Sequence, residues 1–133
     1  MTTIPIHPEN TTGNVSPLLN EIQHALQKLL DQNEPTCIDL NSLPFSPDDE
    51  HLLQQRLGKG EVRAELNSLG ISQIWETHVS GVWWIEHFNA ENQKTNQYLE
   101  ITWIPDILKS QVDDVKASLE QLINNLPYAD NIL

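Results

Sequence analysis

Between Ile74 and His87 the chain carries three of its four tryptophans, interleaved with β-branched residues and interrupted once, at Ser80–Gly81. Aromatic and β-branched side chains fit a pleated, half-buried surface, and a glycine between two such runs marks a reversal. The stretch predicts a hairpin with strands near 71–79 and 82–88. Trp83 and Trp84 are consecutive, so they must point to opposite faces of the strand. With helices covering one face, one indole of the pair belongs to the core and the other to an open face.

The flanking segments supply the rest of a sheet and its helices. Residues 1–14 hold Pro5 and Pro8 among Asn, Thr and Gly with no apolar period, and read as an irregular lead-in. Ser16 and Pro17 offer a cap and a first helical residue, followed by Leu18, Leu19, Ile22, Ala25, Leu26, Leu29 and Leu30 at helical spacing until Pro35. Thr36 to Leu40 is short and β-prone. Ser46–Pro47–Asp48–Asp49–Glu50 predicts a second helix start, with acids placed where the helix dipole favours them. Leu52, Leu53 and Leu57 form its apolar side, and Gly58 or Gly60 ends it. From Glu61 the period changes to two: Val62, Ala64 and Leu66 alternate with Glu61, Arg63 and Glu65. A polar turn over 89–94 leads to a strand over Tyr98–Ile104 closed by Pro105. Leu108, Val112, Val115, Leu119, Leu122 and Ile123 then draw an amphipathic stripe expected to cover one sheet face, with Pro127 ending that helix. The fold class predicted is α+β: a mostly antiparallel sheet of three to four strands with helices packed on one face, residues 15–133 forming a single domain.

The totals exclude whole classes of function. Seven basic residues against nineteen acidic give a formal charge of −12 in 133 residues. A nucleic-acid groove needs a basic stripe, and an anionic membrane surface needs a basic patch, so neither is expected as a partner. The single Cys37 permits no disulfide within the chain and no cysteine-based metal site; its neighbours Thr36, Ile38 and Leu40 make a packed, inert thiol the expectation. The first residues lack a basic segment followed by an apolar run, and no spanning segment is visible, so the expected address is the cytoplasm, without signal peptide or anchor.

Several constellations invite chemistry. Among the five histidines, none has the helical i, i+4 spacing of a zinc protease. His78 and His87 fall on adjacent predicted strands near Glu76, Glu86 and Glu100, which leaves a His/Glu metal cluster as an alternative reading, set against a polar sheet face of cross-strand pairs. Glu76 and Glu100 could be an acid/base pair, but nothing in the pattern supplies a cleft or sets their environments apart. Ser80–Gly81 is not a nucleophile elbow, and Gly58–Lys59–Gly60 lacks the remainder of a phosphate loop. No cofactor is expected. A tryptophan on an open sheet face is, by contrast, a natural interface anchor.

The runs Leu57–Gly58–Lys59–Gly60–Glu61–Val62, Ile74–Trp75–Glu76–Thr77, Gly81–Val82–Trp83–Trp84 and Leu99–Glu100–Ile101–Thr102, followed by Pro105 and Ile107–Leu108, resemble the C-terminal domain of the HupH/HyaF family of hydrogenase expression/formation proteins. The likeness covers roughly residues 16–125. It implies an accessory role in the maturation of nickel–iron uptake hydrogenases, by protein–protein binding and without catalysis, with the immature iron–sulfur small subunit or other maturation proteins as partner. Typical members are longer, and a short form could pair with itself into a homodimer. Carried onto this chain, the family pattern falls on Gly60, Glu61, Glu76, Thr77, Gly81, Val82, Trp83, Trp84, Glu100 and Pro105. Gly60, Gly81 and Pro105 read as backbone geometry and Val82 as packing. Glu76, Thr77, Trp83, Trp84, His87 and Glu100 are the expected partner-binding residues. A generic interaction domain built on the same sheet is the remaining alternative.

Overall fold

The chain divides into two compact units, residues 1–103 and 104–133, and the computed structural model describes residues 5–125. In the first unit, α1 (Val15–Gln32), β1 (Thr36–Asp39), α2 (Pro47–Leu57), β2 (Arg63–Asn67), β3 (Ile71–Glu76), β4 (Val82–Phe88) and β5 (Lys94–Ile101) follow in order. The five strands form one antiparallel sheet in the order β1-β5-β4-β3-β2. The last four strands are a meander, as short links between consecutive strands require. β1 adds a fifth strand at the outer side of β5, one more than the upper sequence estimate.

Register decides what each face carries. Trp75 pairs with Trp84 and Trp84 with Leu99, so these share a face with Ile38, Val82 and Ile101. α1 lays Leu18, Ile22, Ala25 and Leu29 onto that face, and α2 adds Leu53 and Leu57, giving one contiguous core. Each aliphatic side chain buried there contributes about 1.5–3 kcal/mol relative to exposure. α1 begins two residues earlier than Ser16–Pro17 predicts, with Asn14 at the N-cap and no side-chain cap bond. The second helix starts as expected: Ser46 and Asp49 form a reciprocal capping box with Pro47 at the first position.

The other face is not the open, wet surface expected of the hairpin. Ile74, Ile85 and Trp83 are buried on it. Trp83 is 5% exposed and Trp84 1%, so the two indoles do point to opposite faces but neither is left open. Cys37 also departs from expectation. It sits on edge strand β1, and its side chain is exposed because the inward position of that strand is Ile38.

Gly70, between β2 and β3, shows how tightly the hairpins are stacked along the sheet. A Cβ at that position would collide with the carbonyl oxygen of Phe88 at the end of β4. Backbone cannot swing aside as a side chain can, so Gly70→Ala is expected to cost about 1–2 kcal/mol, measured as a lowered urea midpoint. An unchanged midpoint would mean the turn has room.

In the second unit a 3-10 turn over Asp106–Leu108 precedes α3 (Val112–Asn124). Its stripe of Val112, Val115, Leu119, Leu122 and Ile123 is exposed. Pro127 lies outside the described residues. No helix among them is long and apolar enough to cross a membrane.

Candidate functional site

The turn joining β3 to β4 is built by the residues that looked most distinctive in the sequence. The Glu76 carboxylate accepts the Gly81 N–H at 3.1 Å. The Thr77 hydroxyl lies 2.9 Å from Val82 O and 3.1 Å from Val79 O, and accepts the Val79 N–H at 3.1 Å. Gly81 holds φ at +89°, a backbone region that an L side chain rarely enters. The loop after α2 docks here as well: Gly60 N–H donates to Glu76 O at 2.7 Å, and His78 N–H to Leu57 O at 2.9 Å. Two spacings in the sequence thus become one junction, with the Gly58–Gly60 loop closing on the hairpin turn. Thr77 is buried, and its hydroxyl is fully occupied within the junction.

Trp84 serves the core. Its ring stacks on Trp75 with centroids 5.9 Å apart and planes 9° from parallel, and its Nε1 donates to Glu86 Oε2 at 3.3 Å. The buried Glu86 carboxylate is answered by Lys94 Nζ at 2.9 Å. Trp83, on the opposite face, donates from Nε1 to Thr102 O at 3.2 Å. Glu76 and Glu100 lie on either side of Trp83 in register, so both carboxylates share its face with the indole position between them.

Farther along that face a polar line crosses three strands. Ser72 Oγ stands 2.6 Å from His87 Nδ1, and His87 Nε2 stands 3.2 Å from the Tyr98 hydroxyl. Burial, then the negative charge of Glu100 and that of Cys37 once alkaline pH ionises its thiol, pushes the Tyr98 phenol above its ordinary value. Partial desolvation against β5, then Glu100 and Asp39, likewise raises the Cys37 thiol, which keeps it in the less nucleophilic protonated form. Ser72, His87 and Tyr98 form a cross-strand network in which both ring nitrogens of the imidazole face hydroxyls, and the strand backbone around it is committed to the ladder.

The His/Glu metal cluster held as an alternative reading does not assemble. His78 is at the β3–β4 turn, whereas His87 pairs with Ser72 at the other end of the same ladder. Among the described residues no group of three or more His, Cys, Asp or Glu side chains is placed to hold a metal ion. The face therefore brings together Glu76, Trp83, His87 and Glu100 of the expected contact residues, with His87 and both carboxylates half-buried. It separates Trp84 to the core and Thr77 to the turn. Trp103 was not singled out by sequence reasoning. It is 59% exposed and donates from Nε1 to Asn33 Oδ1 at 2.6 Å. The sequence places it within a strand over Tyr98–Ile104, but β5 ends at Ile101 and leaves Trp103 beyond the sheet.

Residues 12–128 match the family described as HupH hydrogenase expression protein, C-terminal conserved region. The hydrogenase expression/formation protein HoxQ of Azotobacter vinelandii is 32% identical over 111 residues, which cover 82% of this chain and 39% of that protein. The hydrogenase expression/formation protein HupH of Rhizobium leguminosarum bv. viciae is 28% identical over 109 residues, again 82% and 39%. The chain thus spans about two-fifths of the length of these curated relatives. A solved structure of the hydrogenase expression protein HupH from Thiobacillus denitrificans superposes with a TM-score of 0.85 at 40% identity, covering 88% of this chain and 98% of that one.

Proposed function

This chain belongs to the HupH hydrogenase expression protein family, and on that premise we propose that it is an accessory factor in the maturation of nickel–iron hydrogenases. It acts by binding protein, on the immature iron–sulfur small subunit, and has no catalytic activity of its own. The observation that carries this reading is the match of residues 12–128 to a conserved region whose relatives are named for hydrogenase expression and formation. Because those relatives are much longer, the partner and the step belong to the proposal.

The proposed contact face is the side of the sheet that carries Glu76, His87 and Glu100. Trp83 lies beneath it, and Trp84 and Thr77 hold the hairpin in shape rather than touching the partner. A formal charge of −12 suits a partner segment rich in basic residues. The address proposed with this role is the cytoplasm.

The test is capture of the purified small-subunit precursor on the immobilised chain at low and high salt. Capture is expected, with affinity falling about tenfold between about 0.05 and 0.5 M salt as screening removes the electrostatic attraction. No capture at low salt would sink the small-subunit assignment. Capture indifferent to salt would remove the acidic surface from the mechanism.

A further inference from the structure

Strand β2 borders the sheet and has β3 on one side only. The antiparallel β2–β3 register is bracketed by Glu76 N–H donating to Val62 O and Ser68 N–H donating to Gly70 O, both at 3.0 Å. In such a ladder alternate residues exchange bonds with the neighbour, and those between them turn their N–H and C=O groups outward. Ala64 and Leu66 therefore bond to β3, whereas Arg63, Glu65 and Asn67 present their backbone groups to the outside. All three are exposed. The strand holds no proline, and its pairing shows no bulge, two of the usual devices that blunt an edge.

A cavity of about 350 Å³ opens beside this edge on the helix side, lined by Gln54, Lys59, Arg63, Gln73, Trp75 and Glu86. Glu86 is already engaged by Lys94 and by the Trp84 indole. Lys59 holds its ammonium 4.7 Å from the centroid of the Trp75 ring. Among the described residues neither Lys59 nor Arg63 has a carboxylate within ion-pair distance. Two neighbouring cations without an ion-pair partner among the described residues are conspicuous in a chain with a formal charge of −12. The carboxylates of Glu65 and Glu86 also line the cavity, but neither lies within ion-pair distance of Lys59 or Arg63.

We propose that β2 is a docking edge for an extended, acidic segment of a partner protein. The segment adds as a sixth strand, exchanging backbone hydrogen bonds with Arg63, Glu65 and Asn67. One of its carboxylate side chains enters the cavity between Lys59 and Arg63. Backbone pairing then supplies affinity and the cavity supplies the choice of side chain. Exposed charges on the edge disfavour indiscriminate pairing with apolar strands. The proposal concerns a surface other than the sheet face assigned above and does not depend on which hydrogenase component that face meets.

The probe is a fluorescein-labelled heptapeptide of alternating threonine and valine with one central glutamate, titrated with the intact chain and read by fluorescence anisotropy. Saturable binding is expected, weakened about tenfold or more when the central glutamate is exchanged for lysine. N-methylation of the peptide amides that face β2 should abolish it, because strand addition needs those donors. In the complex, amide hydrogen exchange at Arg63, Glu65 and Asn67 should slow while that at Ala64 and Leu66 stays as before. The exposed double variant Lys59→Glu/Arg63→Glu, assayed where circular dichroism shows it folded, should reverse the preference between glutamate and lysine peptides. No saturation up to millimolar peptide would overturn the proposal. So would binding that survives N-methylation or is indifferent to the glutamate–lysine exchange. Precursor capture is scored in a separate assay, so failure of one reading leaves the other standing.

Discussion

Trp84→Ala is expected to remove about 4 kcal/mol of stability, a large share of the 5–15 kcal/mol available to an ordinary domain. The side chain is fully enclosed, flanked in register by Trp75 and Leu99, and stacked on Trp75. Truncation leaves a void the size of an indole beneath α1 and α2, and it strips the Nε1 donor from the buried Glu86. Trp103→Ala is the control. That ring is exposed, and its loss together with the bond to Asn33 should cost no more than about 1 kcal/mol. Urea unfolding followed by far-UV circular dichroism checks both, since tryptophan fluorescence would itself change with the substitutions. A loss below about 1.5 kcal/mol for Trp84→Ala would mean the pocket closes around the smaller side chain, contrary to a close-packed interior. Stability and binding can also be told apart. A core role predicts that residual folded Trp84→Ala protein still captures its partner once its lower folded fraction is taken into account.

The contrast between the two indoles shows what the sequence could convey. Period-two patterning from Val62 onward, the glycine at 81 and the closing Pro105 were enough to place the meander, because strand alternation and turn chemistry are local. The Ser46–Pro47 helix start was equally legible, since a capping box is completed within four residues. Burial of the second face was not. Trp83, Ile74 and Ile85 carry the same alternation whether their face is open or covered, and the strand pattern says nothing of what lies above it. Cys37 failed for a related reason: in a four-residue edge strand either parity could be inward, and Ile38 took the core. The His78–His87 pairing depended on register, which a turn occupying Thr77–Gly81 shifted to opposite ends of the ladder. Glu76 and Thr77 were recognisable as a signature without revealing that one closes on Gly81 N–H and the other on Val79 and Val82. A motif that builds a junction and a motif that meets a partner look alike until the bonds of each side chain are counted.

Asp49→Ala should be the most damaging substitution of a charged residue, costing about 3 kcal/mol through a lost N-terminal cap and partly buried donors left without an acceptor. Asp49 has no solvent-accessible surface. Its carboxylate accepts the Ser46 N–H at 2.9 Å, the Thr12 N–H at 3.0 Å and the Thr12 hydroxyl at 2.6 Å, so one side chain both caps α2 and ties down the segment ahead of α1. Burial alone would raise its pKa, but the hydrogen bonds from Thr12 and Ser46 outweigh that and hold it below the ordinary value of 3.8. A carboxylate whose folded value is depressed contributes stability that is complete above the unfolded value and is lost as pH falls through the folded one. Asp49→Asn keeps the shape, removes the titration and leaves an amide that cannot accept every bond. The stability gap between the parent chain and Asp49→Asn should therefore be constant above about pH 5 and shrink below about pH 3.8. Urea midpoints taken from neutral to acid pH measure that gap directly. A gap independent of pH would show that Asp49 acts through its shape and not its charge, and Thr12→Val would then cost no more than an exposed threonine does elsewhere.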